Sequence, residues 1–228
     1  MANVTIKRVA NLDAKLVLAP ERYDQRRNVL GQTGGEPSTV TLGQLAEVVR
    51  QTFNPTSKGA AERRFVVLDT SDVREGLIIG RKPVVLGSDI GSAKKVFTCN
   101  DVLISRLRPY LRQVAIADEG FALSADGAEL ACSTEFYVLR SKSASRIDFL
   151  IPYLLSDSIQ MALAASQEGG HHPRFDEAVL LGLPVPAALL RQREPSTNAI
   201  TVAAERYRES EMLVQSHISK ANLAMQEA

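Results

Sequence analysis

Three arginines crowd the point where two apolar runs meet. The stretch DVLISRLRPYLRQVAIA, residues 101–117, places Arg106, Arg108 and Arg112 within seven residues. The flanking runs read as the arms of a β-hairpin, so the charge falls at its tip. A guanidinium fork binds phosphate or a guanine edge at two points. Residues i and i+2 of an extended segment share a face, so Arg106 and Arg108 are expected to project together. Pro109 biases Arg108 towards that extended state. Tyr110, followed by Arg112, completes an aromatic and guanidinium surface. The chemistry is anion recognition, with a DNA backbone and groove as the ligand. The competing reading is a solvated loop whose arginines serve solubility.

The charge extends upstream. Residues 81–112 hold seven bases (Arg81, Lys82, Lys94, Lys95, Arg106, Arg108, Arg112) against two acids, Asp89 and Asp101. This window is therefore +5 within a chain of net +1. A second polar cluster, SQEGGHHPRF, sets His171, His172 and Arg174 behind two glycines. Adjacent histidines in an extended segment face opposite ways and rarely share one ion. A loop that hydrogen-bonds DNA is the preferred reading, ahead of a metal site or an acid–base pair. A plain helix-to-helix connection is the alternative.

Catalytic signatures are missing. There is no phosphate-binding GxxxxGK[ST], no GxGxxG, no GxSxG and no HExxH. No glycine-rich methyltransferase loop with an Asn/Asp-Pro-Pro-aromatic tetrapeptide occurs, and no helix–turn–helix pattern stands out. The sequence reads as a binder, not an enzyme, with no catalytic residue, cofactor or metal of its own. Cys99 and Cys132 lie apart and read as reduced thiols of a cytoplasmic protein. No leader-like segment is evident, and no apolar run reaches the ~18–20 residues of a membrane helix. The 228 residues, 45% hydrophobic, can bury a substantial core.

The elements that must position these residues follow a simple order. Residues 1–40 form an arm that includes VTIKRVA, a possible edge strand. Thr41 caps a short helix over LGQLAEVVRQ. From 64 to 140 short β-like runs alternate with turn residues: RFVVLDT, GLIIGRKPVVL, KKVFT, DVLISRL, RQVAIA, AELACS and EFYVLRS. They suggest a curled, barrel-like sheet. Helices follow over FLIPYLLS and SIQMALAASQE, then DEAVLL, then LGLPVP as a last strand. The fold class is α+β.

The chain closes with a long helix from about Asn198. Ile200, Ala204, Tyr207, Glu211, Val214, Ile218, Ala221 and Met225 alternate at spacings of four and three. Apart from Glu211 they form an apolar seam of the coiled-coil kind. The seam is expected to meet a partner helix; docking on its own domain is the alternative.

The order of these features resembles a specificity subunit of type I restriction–modification systems, in half-sized form. VTLGQLAEVVRQ resembles the family's opening helix, and DTSDVREGLI its segment ending in Gly and Ile. FTCNDVLISRLRP resembles its GDiLis strand, with Asn100 where the family carries Gly. CSTEFYVLRSK resembles its eF.vlr strand. DFLIPYLLSDSIQMALAASQEGGHHPRFDEAVLLGLPVP resembles its helix pair, glycine loop and terminal Pro-x-Pro. The segment after PVP departs from the family pattern. The resemblance implies a target-recognition domain over 41–190 and a spacer helix over 191–228. It implies double-stranded DNA as ligand, a DNA methyltransferase subunit as partner, and a restriction or translocase subunit as a further candidate. S-adenosylmethionine would belong to the methyltransferase. Two copies would pair as a homodimer through the helices. The alternatives are a DNA reader of another phage-defence system, a small metal-dependent nuclease using His171, His172 and Glu168, and an interaction adaptor.

Overall fold

The computed structural model describes residues 40–168 and 172–226. The arm read over 1–40, with its VTIKRVA strand, thus lies outside the described residues save Val40, as does His171.

The chain runs α1 (Leu42–Leu45), β1 (Ala46–Val48), β2 (Thr52–Phe53), β3 (Arg64–Leu68), β4 (Val73–Arg74), β5 (Leu77–Ile78), β6 (Val84–Leu86) and β7 (Lys94–Phe97). The hairpin strands β8 (Val102–Ser105) and β9 (Val114–Ile116) come next, then α2 (Glu119–Ser124), β10 (Glu129–Cys132) and β11 (Phe136–Ser141). Helices complete it: α3 (Leu150–Leu155), α4 (Asp157–Ala165), α5 (Glu177–Leu181), α6 (Ala187–Arg191) and α7 (Arg193–Gln226).

Among the described residues the strands form two open sheets and one two-stranded ribbon, not a closed barrel. The first sheet is antiparallel, in the order β1-β11-β8-β9. The second is β2-β7-β10-β3-β6, with β10 and β3 parallel. The β4–β5 ribbon lies against β9, where Gly76 N donates to Val114 O.

Successive strand residues face opposite sides, so one strand can serve two cores. In β8, Val102 and Ile104 face a core shared with α3, α4 and α5, while Leu103 faces the space between the sheets. In β11, Tyr137 and Leu139 take the helix side and Phe136 and Val138 the inter-sheet side. In the second sheet, Val66, Leu68, Leu130 and Cys132 face that same inter-sheet core. Phe65, Val96 and Ala131 face a third, smaller cluster with Phe53 and Ile90.

Two expected elements differ. The helix read over 42–51 lasts one turn, held by Gln44 Oε1 accepting from Thr41 N at 2.7 Å. The chain then extends, and Ala46–Val48 pairs with β11. The β-branched Val48 and Val49 favour that pleated edge over a helix. LGLPVP forms no strand, only a single bridge between Pro184 and Thr41, because prolines cannot sustain a ladder. Asn100, at φ +69°, adopts the left-handed conformation that favours glycine. Asparagine is among the few other residues that tolerate it.

The final helix behaves in two ways. Ile200 packs on the helix-side core, Ala204 is buried, and Tyr207 Oη accepts from Gly80 N at 3.2 Å. Arg208 reaches Asp118 through Nε at 3.1 Å and Nη2 at 2.8 Å, Ile78 O at 2.8 Å and Glu211 at 2.7 Å. These seam positions therefore serve the protein's own domain. Val214, Ile218, Ala221 and Met225 are exposed. The seam divides because buried Asp118 caps α2 and draws Arg208 to it. Among the described residues, no helix is long and apolar enough to cross a membrane.

Removing Arg208 strands the buried Asp118 carboxylate. Arg208→Ala is expected to cost about 3–5 kcal/mol in a urea titration. Val214→Ala, in the exposed half, is expected to change stability by under about 0.5 kcal/mol. Equal effects would mean that the helix is not docked through Arg208.

Candidate nucleic-acid interface

Both faces of β8 are apolar and buried, so the hairpin can carry charge only at its ends. At the open end, Asp101 is buried and accepts from Thr98 N and from Arg140, Nε at 2.8 Å and Nη2 at 2.6 Å. The other end gathers Arg106 to Arg112, the start of β7, the turn before β11 and the segment around Arg174. A Leu107–Arg174 bridge and a bond from Phe175 N to Arg106 O join the last of these to the hairpin.

Tyr137 lies at the centre of this end. Lys95 Nζ stands 5.2 Å from its ring centroid and the Arg106 guanidinium 5.8 Å. Lys95 also donates to Phe136 O at 2.5 Å. Burial lowers the Lys95 pKa from its ordinary value, and nearby Arg106 pushes the same way. Glu135 commits both oxygens to Arg174, at 2.8 and 2.5 Å. Arg106 Nε lies 3.4 Å from Glu135 yet lacks hydrogen-bond geometry to it. Arg106 and Lys95 line a cleft of about 510 Å³ together with Arg50 and the acids Asp176 and Glu177. Arg50 sits at its rim, paired with Glu177 at 2.7 Å.

The tip itself departs from the extended geometry expected of it. Arg108 and Arg112 both have positive φ, +42° and +52°, bracketing a 3-10 turn over Pro109–Leu111. Arg106 and Arg108 therefore do not share one strand face: Arg106 turns in towards Tyr137 and Arg108 is exposed. Arg112 is an anchor, bonded to Asp157 Oδ1 at 2.8 Å and Leu155 O at 2.6 Å. Tyr110 stands out, 69% exposed.

The basic window is not one surface. Lys82 is held by Asp72 at 2.5 Å, and with Arg81 it lines a separate groove beside Phe121 and Arg208. Lys94 donates to Ser92 Oγ at 2.7 Å, while Lys95 and Arg106 line the cleft. Residues adjacent in sequence are split because β6 and β7 lie at different positions across the second sheet. In the second cluster His172 is exposed, and Arg174 is locked by Glu135 rather than presented freely. Among the described residues, no three His, Cys, Asp or Glu side chains converge as metal ligands. Cys132 is buried, which pushes its thiol up to about 12.

Two participants lie outside the sequence reading. Arg50 falls outside the charged window, and only the fold brings it to the cleft. Glu135 is an acid in the turn before β11, and its partner Arg174 is 39 positions away. A count of local charge cannot detect such a pair.

No family model matches the sequence, and no curated protein matches it. The fold is nevertheless that of the specificity subunits of type I restriction–modification systems. The HsdS subunit from Thermoanaerobacter tengcongensis matches at 26% identity and a TM-score of 0.55, over 82% of this chain and 47% of that one. A chain from a structure addressing complex assembly and conformational transition of the type I R-M system matches at 27% identity and a TM-score of 0.56, with the same coverage. The chain spans about half the length of these structural relatives. The resemblance seen in the sequence motifs therefore extends to three dimensions.

The Glu135–Arg174 pair gives a pH signature. Its hydrogen bonds with Arg174 hold the Glu135 carboxyl below its ordinary pKa. The stabilisation is present above the unfolded value of about 4.3 and is lost as pH falls through the lower folded value. Wild type is expected to lose stability more steeply than Glu135→Gln on acidification from about pH 5 to about pH 3. Parallel stability curves for the two proteins would dissociate the pair from folding.

Proposed function

We propose that this chain is a DNA target-recognition module of a type I specificity subunit. It reads double-stranded DNA with the hairpin-tip end of the first sheet and has no catalytic step of its own. The observation that carries this reading is the shared fold with type I specificity subunits over 82% of the chain. The collection of Lys95, Arg106, Arg108 and Tyr110 at one end of that fold supports it. Arg81 and Lys82 become secondary contacts at most, on the other groove. Lys94, His171 and His172 are further candidates for contact, whereas Arg112 and Arg174 position the tip and the loop.

A DNA methyltransferase subunit would be the partner that acts on the bound site, carrying S-adenosylmethionine itself. A restriction or translocase subunit is a further candidate partner. The exposed half of α7, with Val214, Ile218, Ala221 and Met225, would pair with the matching helix of a second recognition half.

Two experiments test the reading. Duplex affinity is expected to fall steeply with salt, and Arg108→Ala is expected to reduce the slope by about one unit. A salt-independent affinity, or none for any duplex in a random pool, contradicts the DNA assignment. Val214→Asp with Ile218→Asp is expected to leave the domain folded, because both positions are exposed, but to abolish helix pairing in light scattering. A wild type already monomeric at high concentration, with and without a methyltransferase, contradicts the pairing.

A further inference from the structure

The tip is built as a rigid apolar projection, which a phosphate-binding loop does not require. Tyr110 and Leu111 are adjacent, exposed by 69% and 41%. The turn that carries them is fixed from several directions. Pro109 is buried beneath it, and Arg112 N donates to Pro109 O at 2.8 Å. The Arg112 side chain ties it to α4 through Asp157 and to the end of α3 through Leu155 O. Arg112 O accepts from Glu75 N at 3.0 Å, which ties it to the β4–β5 turn.

Two non-glycine residues, Arg108 and Arg112, hold left-handed backbone here. Such strain persists only where surrounding structure over-determines it, and it clusters at binding sites. The carboxylates near the tip, Glu75 and Asp157, both face Arg112, whose nearest nitrogens lie 4.0 and 2.8 Å away. Arg108 is exposed and forms no ion pair among the described residues. An aromatic ring and a leucine therefore project together, next to one uncommitted guanidinium.

We infer that Tyr110 and Leu111 form a wedge that inserts between base pairs and unstacks one step of the bound duplex, with Arg108 on the adjoining phosphate. This rests on the DNA-reading assignment and adds a mode of recognition to it. Apolar side chains on a rigid projection can separate a base step, and the cost depends on which step is opened. The wedge would thereby favour flexible pyrimidine–purine steps without hydrogen-bonding any base edge. A side chain on a mobile loop would lose part of this effect to its own ordering, and the anchors around Arg112 remove that loss.

The test uses the duplex that wild-type protein enriches from a random pool. Fluorescent analogues are placed along it, 2-aminopurine for adenine and pyrrolo-cytosine for cytosine, so that each base pair is probed on one strand. Wild type is expected to raise emission several-fold at one step only. Tyr110→Phe keeps the ring and is expected to keep the rise. Tyr110→Ala is expected to lose it and to bind about tenfold more weakly, with the salt slope unchanged because no charge is removed. Bound wild-type complex with every analogue at free-duplex emission overturns the wedge and leaves the DNA assignment standing. An undiminished rise with Tyr110→Ala bound overturns it equally. Failure of the protein to enrich any duplex defeats the DNA assignment itself, and the wedge with it.

Discussion

The constraint on which the rest depends is the burial of β8 on both faces. Val102 and Ile104 belong to one core and Leu103 to another, so the strand between Asp101 and Ser105 has no side left for solvent. A charge placed there would have to be neutralised or desolvated at a cost of several kcal/mol, on the order expected for an unpaired buried ion. The hairpin's cations are consequently displaced to its tip. That is the physical reason for three arginines within seven residues: the arms can hold none of them.

Not all of those cations are alike once displaced. Arg112 and Arg174 spend their hydrogen bonds inside the protein, on Asp157, Leu155 O and Glu135. They shape the surface without being offered by it. Arg106 and Lys95 occupy an intermediate state, half-buried over one tyrosine ring and open to a cleft. Arg108 is exposed. This gradation from anchor to free cation is what a recognition surface needs, since a group can contact a ligand in one geometry only if others hold its backbone still. The docked half of α7 extends the same logic: Arg208 and Tyr207 fix the helix to the domain, and the exposed half continues from it.

Much of the fold was legible in the sequence. Helix α6 over Ala187–Arg191 was not foreseen, but the strand runs from Arg64 to Ser141, the helices α3, α4 and α5 and the long final helix fall near their expected places. Local alternation and turn residues suffice for these. The fate of LGQLAEVVRQ was not legible, because only the neighbouring β11 turns Ala46–Val48 into a strand. Helix α2 was not foreseen either: its six residues are too short for a periodicity, and its cap, Asp118, looks like any loop acid. For the site, the concentration of charge was visible but not its sorting. Arg108's left-handed backbone contradicts the bias that a following proline normally imposes. The partners that Arg112 and Arg174 find, Asp157 and Glu135, are set by contacts made across 39 or more positions.

Hydrogen exchange with and without the enriched duplex tests the central claim most directly, because it reports which end of the fold meets DNA. The account predicts slowed exchange on binding at residues 106–112 and along the cleft at 94–96, with residues 78–82 beside α7 unchanged. Protection confined to 78–82 and α7, with the tip exchanging as in the free protein, would contradict it.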